Sequence, residues 1–245
     1  MDQYFTTTNT AQQKLKWTGV IAGMALLAIL FASCSKQSDN TATASTTNLA
    51  MIDVSPNSPA LDFYMDGTKV NSTSISYGGG LEYFICYPGN RHIAFYQTNT
   101  STVIKADTVD LSPNAAYTVI LSNLSTAPDV TLLRDSIYAP PANGATIRIV
   151  NASPDAGAID FGLKGKTVIG NNIAYRKATS FISVSLTSSL DTVQIYKTGT
   201  NTVLQSVPVT MNFGGVYTVY LYGFAAQTSA AEKLSAGVME NTFYY

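Results

Sequence analysis

Histidine, cysteine and charge are all scarce in this chain of 245 residues. One histidine, His92, and two cysteines, Cys34 and Cys86, cannot furnish a His-rich metal site, a Cys-based zinc site or a disulfide scaffold. Charged residues make up only 12%, and 14 Lys+Arg against 15 Asp+Glu leave a net charge of −1. That balance gives no field to steer nucleic acid, and no nucleic-acid partner is expected. The motifs Gly-x-Ser-x-Gly, His-Glu-x-x-His and the EF-hand loop are missing as well. No metal, no cofactor and no enzymatic activity are therefore expected. With 46% hydrophobic residues the chain is too apolar to be disordered.

Long hydrophobic runs are lacking too. The apolar heart of the N-terminal segment, Val20 to Ala32, spans 13 residues after Lys14 and Lys16. A membrane-spanning helix needs about 18 or more such residues, whereas a signal-peptide core needs about 7–15. The run exits through Ala32-Ser33 directly before Cys34. Phe31-Ala32-Ser33-Cys34 resembles the lipobox of bacterial lipoprotein precursors, with Phe31 standing where Leu is usual. The resemblance implies cleavage after residue 33 and acylation of Cys34 with fatty acids such as palmitate. Several acyl chains together anchor stably, at about 0.8 kcal/mol per buried CH₂. Ser35, rather than Asp, after the cysteine implies sorting to the outer membrane, on its cell-surface or its periplasmic face. Residues 34–46 are small and polar and read as a flexible tether. Acylation would leave Cys86 as the sole thiol.

The mature part repeats itself. Asp53-Val54-Ser55-Pro56-Asn57-Ser58-Pro59-Ala60-Leu61-Asp62-Phe63 lies 98 residues before Asn151-Ala152-Ser153-Pro154-Asp155-Ala156-Gly157-Ala158-Ile159-Asp160-Phe161. Later the offset becomes 100, pairing Tyr96 with Tyr196 and Tyr117-Thr118-Val119 with Tyr217-Thr218-Val219. A period near 100 is a domain length. A first domain is expected over 47–137, a Pro-rich linker over 138–144 and a second domain over 145–245. Each would bury its own apolar centre.

Within each copy the apolar period is two. Leu61, Phe63 and Met65 alternate with Asp62, Tyr64 and Asp66, and Ile159, Phe161 and Leu163 do likewise, which marks strands with one buried face. About seven short strands per copy predict an all-β chain of two tandem Ig-like or fibronectin-like antiparallel β-sandwiches. Leu111-x-Pro113-x-x-x-Tyr117-x-Val119 is similar to a tyrosine corner, and Tyr217 repeats the spacing. Together the Asn151–Phe161 segment, Ile173-Ala174-Tyr175 and Val216–Val219 resemble domain-of-unknown-function family 4397. That resemblance implies an extracytoplasmic β-sandwich, often in tandem, and brings no catalytic residues.

The remaining candidates are modest. Asp62 and Asp160 recur in equivalent strands and are expected to bond loop amides, such as those of the Ser-Pro turn, rather than a cation. Gly78-Gly79-Gly80, opposite Arg176-Lys177-Ala178 in the repeat, reads as a hairpin tip. Tyr220 and Tyr222 fall on the strand face opposite Tyr217 and Val219; with Arg176 and Lys177 they are the candidate ligand surface. Asp107-Thr108-Val109, Asp135-Ser136-Ile137 and Asp191-Thr192-Val193 resemble bacterial O-glycosylation triplets. The expected function is that of a lipid-anchored, non-enzymatic binding or adhesion module, with a glycan or an envelope protein as ligand. The alternatives are a structural spacer and an accessory subunit of a glycan-handling system.

Overall fold

The computed structural model describes residues 45–186, 188–229 and 232–243. Among them every regular element is a strand. The first copy runs β1 (Thr47–Asp53), β2 (Leu61–Met65), β3 (Thr68–Lys69), β4 (Gly80–Cys86), β5 (Gly89–Gln97), β6 (Val103–Leu111), β7 (Ala116–Ser122) and β8 (Asp129–Arg134). The second runs β9 (Gly144–Asn151), β10 (Ile159–Leu163), β11 (Val168–Ile173), β12 (Lys177–Ala178), β13 (Ile182–Ser185), β14 (Leu190–Lys197), β15 (Val203–Thr210), β16 (Gly215–Tyr222) and β17 (Ser235–Phe243). Gly144, assigned to the linker from sequence, is the first residue of β9.

Each copy is two sheets. The first pairs an outer sheet, β3-β2-β5-β6, with an inner sheet, β4-β1-β7-β8. The second pairs β11-β10-β14-β15 with β12-β9-β16-β17, β13 also joining β9. The alternation read from sequence does its work here. Leu61, Phe63, Ile93, Phe95, Leu49, Met51 and Val119 fill the first core, and Ile159, Phe161, Val193, Ile195, Ile147, Ile149 and Val219 fill the second. The sandwiches are not wholly antiparallel. β1 pairs parallel with β7, and β9 with β16, so the first strand of each copy closes against a late one.

A third apolar layer joins the two sandwiches. Ile52, Val54 and Ile120 of the first inner sheet meet Val150, Ala152 and Tyr220 of the second. Two separate apolar centres therefore become three, and the four sheets stack face to face. The contact is isologous, as in a two-fold homodimer. Tyr77 packs on Tyr222 at 5.4 Å between ring centroids, while Tyr175, the equivalent of Tyr77, bonds Ser122, the equivalent of Tyr222.

Candidate functional site

Two places concentrate polar and aromatic side chains: the seam between the inner sheets and the outer face of the first copy. At the seam, Arg148 and Asp135 form an ion pair with side chains 2% and 0% exposed. Arg148 Nε donates to Thr218 Oγ1 at 2.8 Å and Nη2 to Thr118 Oγ1 at 2.9 Å, while Thr118 donates to Asp135 Oδ2 at 2.6 Å. Tyr83 also donates to Asp135, and Asn241 donates to Tyr83 Oη at 2.8 Å. The guanidinium lies 4.6 Å from the Phe181 ring centroid. Such a pair is tolerable in a dry layer because nearly every lone pair and proton around it is used.

Two bulges aim this network. Leu49 faces Phe84 and Met51 faces Leu81, so Glu82 and Tyr83 share one opposing position on β1. On β17, Thr242 faces Val216 and Glu240 faces Tyr217, leaving Asn241 as the extra residue. Bulges redirect side chains out of the regular alternation, and these bring Tyr83 and Asn241 together across the seam. Beside them opens a cleft of about 450 Å³ lined by Glu82, Tyr83, Met239, Glu240, Asn241 and Thr242.

The seam absorbs most of the ligand surface expected from sequence. Tyr220 is only 4% exposed. Its ring lies across Gly237, where an added Cβ would come within 2.5 Å of it. Its hydroxyl donates to Gly78 O at 3.1 Å, and burial pushes its pKa up to about 12. Tyr222 is half-buried between Tyr77 and Tyr220. Neither ring is a free binding strip; alternation identified their face correctly, and the other copy covers it. Arg176 is likewise occupied: Nε donates to Thr131 Oγ1 at 3.0 Å and Nη2 to Val130 O at 2.6 Å. Arg176 and Lys177 both stay exposed, but of the two only Lys177 is without a bond to the first copy among the described residues. Gly78 is not a free hairpin tip either. Its positive φ (+81°) is shared by Arg176 (+62°) in the second copy, so what sets Gly78 apart is Tyr222 Oη, 3.2 Å from where its Cβ would stand.

The structural residues keep to their strands. Tyr117 Oη accepts from Ser112 N–H at 3.1 Å, and Tyr217 Oη from Asn212 N–H at 2.9 Å. Asp62 and Asp160 do not bond the Ser-Pro turn. Asp62 accepts from Thr98 and Asn71 and pairs with Lys69 at 2.8 Å; Asp160 accepts from Thr198 and from the Gly199 and Asn172 amides. Burial works to raise both pKa values, but these donors hold them below the ordinary carboxylate value. The described residues contain no group of three or more potential metal ligands. Cys34 lies outside the described residues.

The outer face of the first copy holds what sequence reasoning missed. Tyr64 on β2 and Tyr96 on β5 project away from the core, half-exposed, with ring centroids 4.9 Å apart. Ala94, 3% exposed, lies opposite Tyr64 on the neighbouring strand, and the Asp62–Lys69 pair flanks the rings. In the second copy Gly162 replaces Tyr64, and Tyr196 turns its hydroxyl to Gln194 at 2.8 Å. The signal was present: alternation places Tyr64 beyond Phe63 and Tyr96 beyond Phe95, and only one copy has both.

The fold is thus that of an all-β protein built from two copies of one sandwich unit. The chain belongs to the DUF4397 family, a domain of unknown function, which it matches over residues 47–162 and again over 145–242. No curated protein matches the chain. Among solved structures it is similar to a family 26 carbohydrate-binding module from Eubacterium rectale Amy13K in complex with maltoheptaose. Identity there is 9%, covering 80% of this chain and 97% of that one, with a TM-score of 0.26. It is also similar to an α-glucan-binding streptococcal virulence factor, at 8% identity over 71% of this chain and 92% of that one, TM-score 0.24. Family 41 carbohydrate-binding modules of streptococcal virulence factors give 11% identity over 78% and 97%, TM-score 0.23.

Proposed function

We propose that this protein is a non-enzymatic binding module of the bacterial cell envelope, anchored in the outer membrane through acylated Cys34, and that it holds a glycan on the outer face of its first copy. The observation that carries this reading is the Tyr64–Tyr96 ring pair on the outer sheet of the first copy, absent from its equivalent in the second. A sugar ring offers an apolar C–H face that lies on an aromatic ring, while its hydroxyls need charged or amide partners at the edge. Lys69, held by the buried Asp62, presents its partly exposed side chain at that edge. Amphipathic aromatic side chains of this kind are the usual anchors of such contacts.

The spacer alternative fares worse. Sheets stack at about 10 Å, so packing the second sandwich against the side of the first adds little reach from a membrane. The test is binding of the chain to a glycan array, followed by titration of whatever glycan it retains. Tyr64→Ala and Tyr96→Ala should each weaken binding about tenfold or more, with folding unchanged. Equal binding by wild type and both variants would remove the proposal.

A further inference from the structure

Asp53 ends β1 at the seam and is fully buried. Its Oδ1 accepts from Ser55 N–H at 3.0 Å, while its Oδ2 is buried without a hydrogen-bond partner. The repeat shows what belongs there. At the equivalent position Asn151 Oδ1 accepts from Ser153 N–H at 3.1 Å, the same bond. Its Nδ2 then donates to Gly157 O at 2.8 Å and Ile173 O at 3.0 Å. The rest of the turn is also conserved between copies: Ser55 and Ser153 each donate to a carbonyl, of Asn123 and Gly223, at 2.7 Å. Asp53 Oδ2 therefore occupies the place of an amide donor. A carboxylate has no proton to give there; a carboxylic acid has one.

The backbone of Asp53 holds the loop that meets the second copy. Gly78 N–H donates to Asp53 O and Asp53 N–H to Gly79 O, both at 2.8 Å. Gly78 O in turn receives the Tyr220 hydroxyl, and Tyr77 packs on Tyr222. We propose that Asp53 is a proton-dependent latch between the two copies: as a neutral acid it donates from Oδ2 as Asn151 donates from its amide, and its ionisation loosens the 77–80 loop from Tyr220 and Tyr222.

The surroundings favour the neutral acid. Ser55 and Ser58 face Asp53 from its own turn and Tyr77 from the 77–80 loop, while Tyr222 and the carboxylate of Glu232 approach Tyr77 from the second copy. Glu232 accepts from Asn57 and Ser229. No ion pair to Asp53 occurs among the described residues. Burial raises the Asp53 pKa from 3.8 to about 7, against the opposing bond from the Ser55 amide. The unfolded chain loses this proton near 3.8 and the folded one near 7. The stabilisation is thus complete below the lower value, falls as pH rises between them, and is gone above the upper.

Equilibrium unfolding of the full chain from pH 4.5 to 8.5, wild type against Asp53→Asn, tests this. The ratio of their unfolding constants should grow about tenfold per pH unit up to neutrality and then level off. Asn151→Asp should bring a second dependence of the same sign. Amide exchange provides a local reading: above neutral pH, Gly78 should exchange severalfold faster in wild type than in Asp53→Asn. In wild type itself, the infrared carbonyl band of a protonated carboxylic acid should persist at pH 6 and vanish by pH 8.5. A ratio flat across this range, equal Gly78 protection in both proteins, or no such band at pH 6 would each overturn the latch.

Discussion

Asp53 and Asp62 are both buried carboxyl groups of the first copy, yet their environments push them in opposite directions. Asp62 has Lys69, Asn71 and the Asn99 amide aimed at it and stays ionised. Its contribution is present above the ordinary value of 3.8 and is lost as pH falls through its lowered folded value. Asp53 has one backbone donor and a partnerless oxygen, so its contribution runs the other way. The number and aim of donors decide the sign, and neither is visible in the bare letter Asp. Nearer the N-terminus, Cys34 carries the proposed anchor. Cys34→Ser should move the protein from the detergent phase to the aqueous phase on phase partition, and intact-mass measurement should show the acyl groups lost. A wild-type protein already in the aqueous phase, with an unmodified thiol, would contradict the anchor. The recurrence of Asp62 and Asp160 was legible from the repeat. Their partners were not, because Thr98 and Thr198 follow β5 and β14, strands distant in sequence that only the sheet pairing brings beside β2 and β10.

Among the elements, alternation located most strands because one face of each is buried in its own sandwich. β8 escaped notice, since Asp129–Arg134 follows a loop of Ser, Thr and Pro and has no clear alternation. The inner faces of β1, β7, β9 and β16 were harder still. Thr118, Arg148 and Thr218 lie on the strand faces turned away from their own cores, and only the covering sheet makes them a buried network. Removing one member of a buried pair strands the other charge, which costs about 3–5 kcal/mol, whereas replacing both with apolar groups is often neutral. Arg148→Met should therefore destabilise by about that amount, and Arg148→Met with Asp135→Leu should recover much of the loss. Chemical denaturation of the single and double variants measures this. A double variant as unstable as the sum of its singles would show that the two side chains are not coupled.

At the scale of the whole molecule, the repeat was legible in the sequence and the way its copies meet was not. Repeats specify a shared fold; the two copies meet through equivalent inner-sheet faces, and differences such as Ile120 against Tyr220 and Gly78 against Arg176 make the seam unequal on its two sides. Those positions give the first copy a loop that accepts Tyr220 and Tyr222, and the second an arginine that grips β8. The same divergence leaves the ring pair of Tyr64 and Tyr96 on one outer face only. A buried apolar layer and ion pair between the copies should make them unfold together, as small single domains do. The most direct measurement is urea unfolding of the full chain followed by far-ultraviolet dichroism and by amide exchange of Phe63 and Phe161, one from each core. Coincident transitions with equal midpoints at both cores are the predicted result, and two separated transitions, one per copy, would contradict it.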